Sequence, residues 1–163
     1  MGRVAKACLA VLLAVLAGCH HDTEPRVKAG SGYSTVVAWA VNHQFPNRGE
    51  GSPTPLVFIT TTDGSAISAT TQAKVIRDAD DQVKVNFVDK REDAIDTQDP
   101  VDAVKDDGLL LTVGPIPSDA RNSVELEVAL YTNYIDHSAW KLLLVADDNG
   151  VKVTQEEEQK VQP

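Results

Sequence analysis

VELEVALY, Val124 to Tyr131, decides the fold. Val124, Leu126, Val128 and Leu130 alternate with Glu125, Glu127, Ala129 and Tyr131. That is the two-residue period of a strand with one dry face and one wetter face, the pattern of an antiparallel sheet. Trp140 to Val145 reads as the next strand. Asp148-Asn149-Gly150 offers a tight hairpin turn, and Val151 and Val153 return beside it. On the other side, Leu109 to Val113 forms a strand inside GLLLTVGPIP, and Ser118 to Asn122 turns the chain into Val124. Four strands joined by short turns predict an antiparallel meander.

Further upstream the period changes. Tyr33, Val36, Val37, Ala40 and Val41 recur at helical spacing, and Pro46 disfavours helix at Phe45. Leu56 to Thr62 is apolar and β-branched and reads as a strand, which Asp63-Gly64 ends. Ser68 to Asp78 reads as a short helix on Ala69, Ala73 and Ile76. Val83, Val85 and Phe87 show strand period. The expected fold class is α+β, an N-terminal helix packed on an antiparallel β-sheet with a C-terminal meander. In topology this resembles the cystatin-like and nuclear-transport-factor-like folds, although no motif carries that likeness and such folds host many functions.

The N-terminus reads MGRVAKACLAVLLAVLAGC. Arg3 and Lys6 precede a wholly apolar run from Ala7 to Leu16. That run is too short for the ~20 apolar residues of a spanning helix and has the flanks of a secretory segment. Leu16-Ala17-Gly18-Cys19 resembles the lipobox of bacterial lipoproteins. The resemblance covers these first residues only. It implies a diacylglycerol on the Cys19 thiol, cleavage before Cys19 by a dedicated signal peptidase that recognises Leu16, Ala17 and Gly18, and acylation of the new amino group. Two or more acyl chains anchor a protein stably, at about 0.8 kcal/mol per buried CH₂. The implied location is the cell envelope, outside the cytoplasm. In a Gram-negative host, His20 rather than Asp after the lipidated cysteine implies the periplasmic face of the outer membrane.

Four segments follow. Residues 1–18 are a lipoprotein signal peptide, 19–32 the lipidated cysteine with a polar tether, 33–154 one α+β domain, and 155–163 a polar tail. The only cysteines are Cys8 and Cys19. Cleavage and lipidation leave no thiol in the domain for a disulfide, a nucleophile or a zinc site. His20-His21-Asp22 reads as solvated tether, because adjacent histidines on a tether point apart. Gly30-Ser31-Gly32 lacks the spacing of a phosphate loop and follows no strand.

The chain carries 24 Asp and Glu against 15 Lys and Arg, a formal net charge of −9. Cleavage before Cys19 also removes Arg3 and Lys6. An acidic surface repels nucleic acid and anionic headgroups, so nucleic-acid binding is not expected. Asp93, Asp96, Asp99 and Asp102 recur every third residue in an acidic loop, where Pro100 interrupts a helix. They form the candidate contact loop. The acidic segments lack the EF-hand pattern, and neither metal nor cofactor is expected. G-x-S-x-G is absent. Asp136-His137-Ser138 are neighbours in a turn, whereas a triad converges from separate segments. His43 falls where a helix dipole favours a cation. Trp39 and Trp140 read as core or contact residues.

The expected role is a non-enzymatic, lipid-anchored binding module for a basic protein or peptide. A small-ligand module with a pocket between helix and sheet is the first alternative. A hydrolase using carboxylates of the acidic loop is the second.

Overall fold

The structure is a computed structural model and describes residues 24–49, 51–97, 102–117 and 122–160. Helix α1 spans Ala29–Gln44, and Tyr33, Val36, Val37, Ala40 and Val41 form its buried stripe. It starts inside the segment expected as tether. Ahead of it Val27 is only 1% exposed. A Cβ on Gly32 would lie 2.5 Å from Ile116 Cδ1, so the helix approaches the domain closely there. Gly32, which looks like linker, serves this contact, and a Cβ on Gly30 would meet the Lys74 side chain at 2.8 Å. Phe45 ends the helix with its N–H on the Val41 carbonyl, one residue before Pro46.

Strand β1 (Leu56–Thr61) leads to helix α2 (Ala69–Ala79) and then to β2 (Lys84–Phe87). Ser68 caps α2 by accepting a hydrogen bond from the Thr71 N–H. The buried residue of α2 is Val75, while Ile76 is 53% exposed and Ala69 and Ala73 face solvent. The apolar stripe expected for this helix is therefore rotated. Asp80 and Asp81 follow it with φ of 45° and 58°, a left-handed conformation that aspartate tolerates better than most residues.

After β2 come two short strands, β3 (Ile95–Asp96) and β4 (Ala103–Val104), which pair with each other. The chain continues through β5 (Leu109–Val113), β6 (Ser123–Tyr131), β7 (His137–Asp147) and β8 (Gly150–Gln159). One six-stranded sheet has the order β2-β1-β5-β6-β7-β8. From β5 to β8 it is the expected antiparallel meander. β1, however, runs parallel to both β2 and β5, so the sheet is mixed. Parallel neighbours need a crossover, and α2 supplies it between β1 and β2. β8 extends into the segment expected as polar tail, past a register shift at Leu143/Leu144.

Helices α1 and α2 cover one face of the sheet. Between them and the strands lies the main core, with Val36, Ile59, Leu109, Leu111, Leu142 and Leu144 at 1% exposure or less. Each such side chain contributes about 1.5–3 kcal/mol relative to full exposure. On the opposite face a second cluster joins Phe58 and Leu110 to Ala94, Ile95 and Val104. The acidic segment after β2 supplies those last three residues. Gly108 is needed where this segment re-enters the sheet, since a Cβ there would sit 3.0 Å from the carbonyl oxygens of Leu56 and Lys105. Among the described residues no helix is long and apolar enough to cross a membrane.

Candidate binding surface

The residues of the cleavage and lipidation signal, Leu16, Ala17, Gly18 and Cys19, lie outside the described residues, as does Asp99. The other acids of the contact loop come together on one small platform. Asp93 sits on a 3-10 turn (Arg91–Ala94), Asp96 on β3, and Asp102 just before β4. All three are exposed. Their neighbours Ala94, Ile95 and Val104 point the other way, into the second cluster. Strand alternation sends Ile95 inward and Asp96 outward. Lys105 Nζ donates to the Asp93 carbonyl at 2.6 Å, which closes the loop on itself.

This platform is fastened to the turn between β6 and β7. The Val104 N–H donates to the Thr132 carbonyl at 2.8 Å, and the Tyr134 N–H to the Asp102 carbonyl at 3.1 Å. The Tyr131 hydroxyl donates to that same carbonyl at 2.9 Å. Ala103 also forms an isolated bridge to Asn133. The turn is braced within itself as well. Asn133 Oδ1 accepts from the N–H groups of Ile135 and Asp136, each at 2.9 Å. Thr132 Oγ1 donates to Asp136 Oδ2 at 2.8 Å, and Gln44 Nε2 at the end of α1 donates to that oxygen at 2.7 Å. Arg91 lies over the Tyr131 ring, 4.3 Å from its centroid.

Beside this end of α1 lies an aromatic cluster that the sequence pattern did not bring together. The His43 ring stacks on Trp39 at 5.1 Å and meets Trp140 edge-on at 4.5 Å. The two tryptophans meet at 5.7 Å. Trp39 Nε1 donates to Glu156 on β8, and Trp140 Nε1 to Ser138 Oγ at 2.9 Å. The four-residue spacing of Trp39 and His43 on one helix was a visible signal. Their meeting with Trp140 and Glu156 depends on the register of β7 and β8. His137 is exposed, its ring tilted against that of Tyr131 with the centroids 6.4 Å apart.

The other face of β6, β7 and β8 bears Glu125, Glu127, Lys141 and Glu157. Lys141 Nζ is 2.8 Å from Glu125 Oε1. The hydrogen bond and charge of Glu125, followed by the charges of Glu157 and Glu127, hold the lysine above its ordinary pKa.

A surface cleft of about 290 Å³ lies between α1 and α2, lined in part by Ser34, Asn42, Arg48 and Asp78. Asp78 accepts hydrogen bonds from Lys74 and from Ser34, each at 2.7 Å, and these hold its carboxyl below the usual range. The space between α1 and the sheet is filled by the main core. Among the described residues, no three His, Cys, Asp or Glu side chains gather as a metal-ion group. Comparison with known protein families, with curated proteins and with solved structures finds no match for this chain.

Proposed function

We propose that this chain is a lipid-anchored protein of the cell envelope whose folded domain is a non-enzymatic binding module for a cationic protein. The observation that carries this reading is the build of the acidic platform. Asp93, Asp96 and Asp102 stand on a segment whose apolar residues are packed into the second cluster. Carboxylates on a floppy loop lose conformational entropy when they bind. Carboxylates on a packed platform lose much less, and so favour a complementary surface of lysine and arginine. The net charge of −9 adds long-range attraction for such a partner.

The anchor belongs to the same proposal and rests on Leu16-Ala17-Gly18-Cys19. Replacing Cys19→Ala is expected to abolish lipid labelling and to leave the protein unprocessed or released. A mutant that still carries lipid and sediments with membrane would refute the anchor.

Binding is tested by retention on the purified, immobilised protein from the host's envelope extract at low and at high salt, with retained proteins identified by mass. Exposed charges are screened beyond ~8 Å at physiological ionic strength. The expected result is a basic protein retained at low salt and lost at high salt. Retention of nothing at either salt would overturn the reading.

A further inference from the structure

The turn between β6 and β7 holds two large apolar side chains out in solvent. Tyr134 is 72% and Ile135 84% exposed, and the only comparable residue among those described is Ile76 on α2, at 53%. Two adjacent apolar side chains at a turn form a patch, where a single one would be ordinary. The backbone beneath them is held by Asn133, Thr132, Gln44 and the Asp102 carbonyl. A side chain on such a braced turn docks with little further loss of backbone freedom.

We propose that Tyr134 and Ile135 form an apolar plug that inserts into a pocket on a basic partner protein, while the flanking carboxylates meet lysine or arginine at the mouth of that pocket. The proposal rests on the binding function argued above and names the centre of that surface. An apolar anchor inside a charged rim is the usual anatomy of a protein interface. Here the rim is Asp96 and Asp102, on the platform that shares hydrogen bonds and a β-bridge with the turn.

Two other occupants fit less well. The first is the membrane. Glu24, Arg26 and Lys28 lie beside Asp147 and Gly150, at the β7–β8 turn. The Tyr134–Ile135 tip lies beyond the opposite end of β7, whose 11 residues span roughly 33 Å at about 3.3 Å per step. Between Cys19 and Glu24 the chain reaches at most ~18 Å when fully extended. The anchor therefore holds the end away from the tip, and the acidic rim repels anionic headgroups. The second is another copy of this chain, which would bring one acidic rim against another, a like-charge arrangement that opposes association.

The test places a photo-crosslinking amino acid at position 135 of the full-length protein in host cells, and in a control at position 76. The expected result is one discrete adduct from position 135 and none from position 76. The captured species is a protein with a basic face, and capture is lost when Tyr134→Ala is added. With that protein purified, Ile135→Ala is expected to weaken binding by about tenfold or more. Asp102→Asn is expected to slow association and flatten its salt dependence, with a smaller effect on affinity. Since both tip side chains face solvent, the melting temperature of each variant should match the parent, which separates lost contact from lost folding. Adducts with lipid, with a second copy of the chain, or equally from positions 76 and 135 would overturn the plug. Capture of nothing from position 135, while the unlabelled protein still retains a basic protein in a salt-dependent way, would overturn the plug alone. Loss of both would overturn the binding function with it.

Discussion

β5 and β6 are neighbours in one sheet, and they bury their side chains by different rules. Along β5, Leu109, Leu110 and Leu111 are consecutive and each is at most 1% exposed. Along β6, Leu126, Val128 and Leu130 are buried while Glu125 and Glu127 stand in solvent. The difference follows from pairing. β1, β2 and β5 are the parallel part of the sheet, and a parallel sheet is normally covered on both faces. α1 and α2 cover one face here. The other is covered at Phe58 and Leu110 by the acidic segment. The antiparallel part has a helix on one face, while its other face is left half-open, with Leu143 and the Lys141–Glu125 pair partly in solvent. The acidic segment is therefore both the lid of the parallel half and the platform of the candidate site.

The largest expected effects test whether both faces of β5 are core. Leu111→Ala on the helix side is expected to destabilise by about 3–5 kcal/mol, and Leu110→Ala on the lid side by about 2–3 kcal/mol. Leu143→Ala, at a half-buried position on the other face of β7, should cost only about 1 kcal/mol. Urea unfolding reads all three as a change in midpoint at constant slope. If Leu110→Ala costs no more than Leu143→Ala, the acidic segment is not a lid and the contrast between the two halves collapses.

The next effect separates the lid from the sheet beneath it. Ile95 is 8% exposed and packs in the second cluster with Phe58 and Leu110. Ile95→Ala is expected to cost about 2 kcal/mol. It should also speed amide hydrogen exchange across residues 91–97 and 102–107 well before exchange in β5 changes. Local opening of this kind marks a unit held by few apolar contacts. Uniform acceleration across the whole sheet would mean that the lid and the sheet unfold as one.

The two halves were not equally legible in the sequence. β6 announces itself because its alternation records one wet face, and the α1 stripe is equally plain. The parallel pairing of β1 leaves no such local mark, since a strand buried on both faces reads as an apolar run whatever its direction. The lid was legible as an acidic loop and illegible as a cover, because its buried residues Ala94, Ile95 and Val104 are few and set among acids. β8 hides for a related reason. Its Glu156-Glu157-Glu158 run reads as tail, yet an edge strand tolerates charge on both faces and is protected by it from pairing with other chains. The start of α1 is masked by Gly30 and Gly32, which lie against Lys74 and Ile116 respectively, contacts that no local pattern reveals. At the candidate site the spacing of the acids was visible, while the tip beside them depends on which loops the topology brings together.

The smallest effects distinguish the two halves by pH. Over the parallel half, Asp78 on α2 takes hydrogen bonds from Lys74 and from Ser34 of α1, so its carboxylate ties two elements together. Its pKa is lowered from 3.8, by Lys74 first and Ser34 next. A lowered acid contributes stability that is present above its unfolded pKa and lost as pH falls through the folded one. Asp78→Asn should therefore cost about 0.5 kcal/mol near neutral pH, a figure kept small by solvent screening, and nothing once the carboxyl is protonated below the range of ordinary carboxylates. On the open face the sign reverses. Lys141 is raised from 10.5, chiefly by Glu125. Its contribution is present below that value and lost as pH rises through the folded pKa. Lys141→Met should thus differ from the parent below that alkaline transition for as long as the Glu125 carboxylate is ionised, whereas Asp78→Asn should differ only above the acid one. An Asp78→Asn curve that does not rejoin the parent in acid, or a Lys141→Met curve that does not rejoin it in alkali, would show that the pair concerned is not formed in solution. The faces of the sheet would then be electrostatically less distinct than their burial makes them.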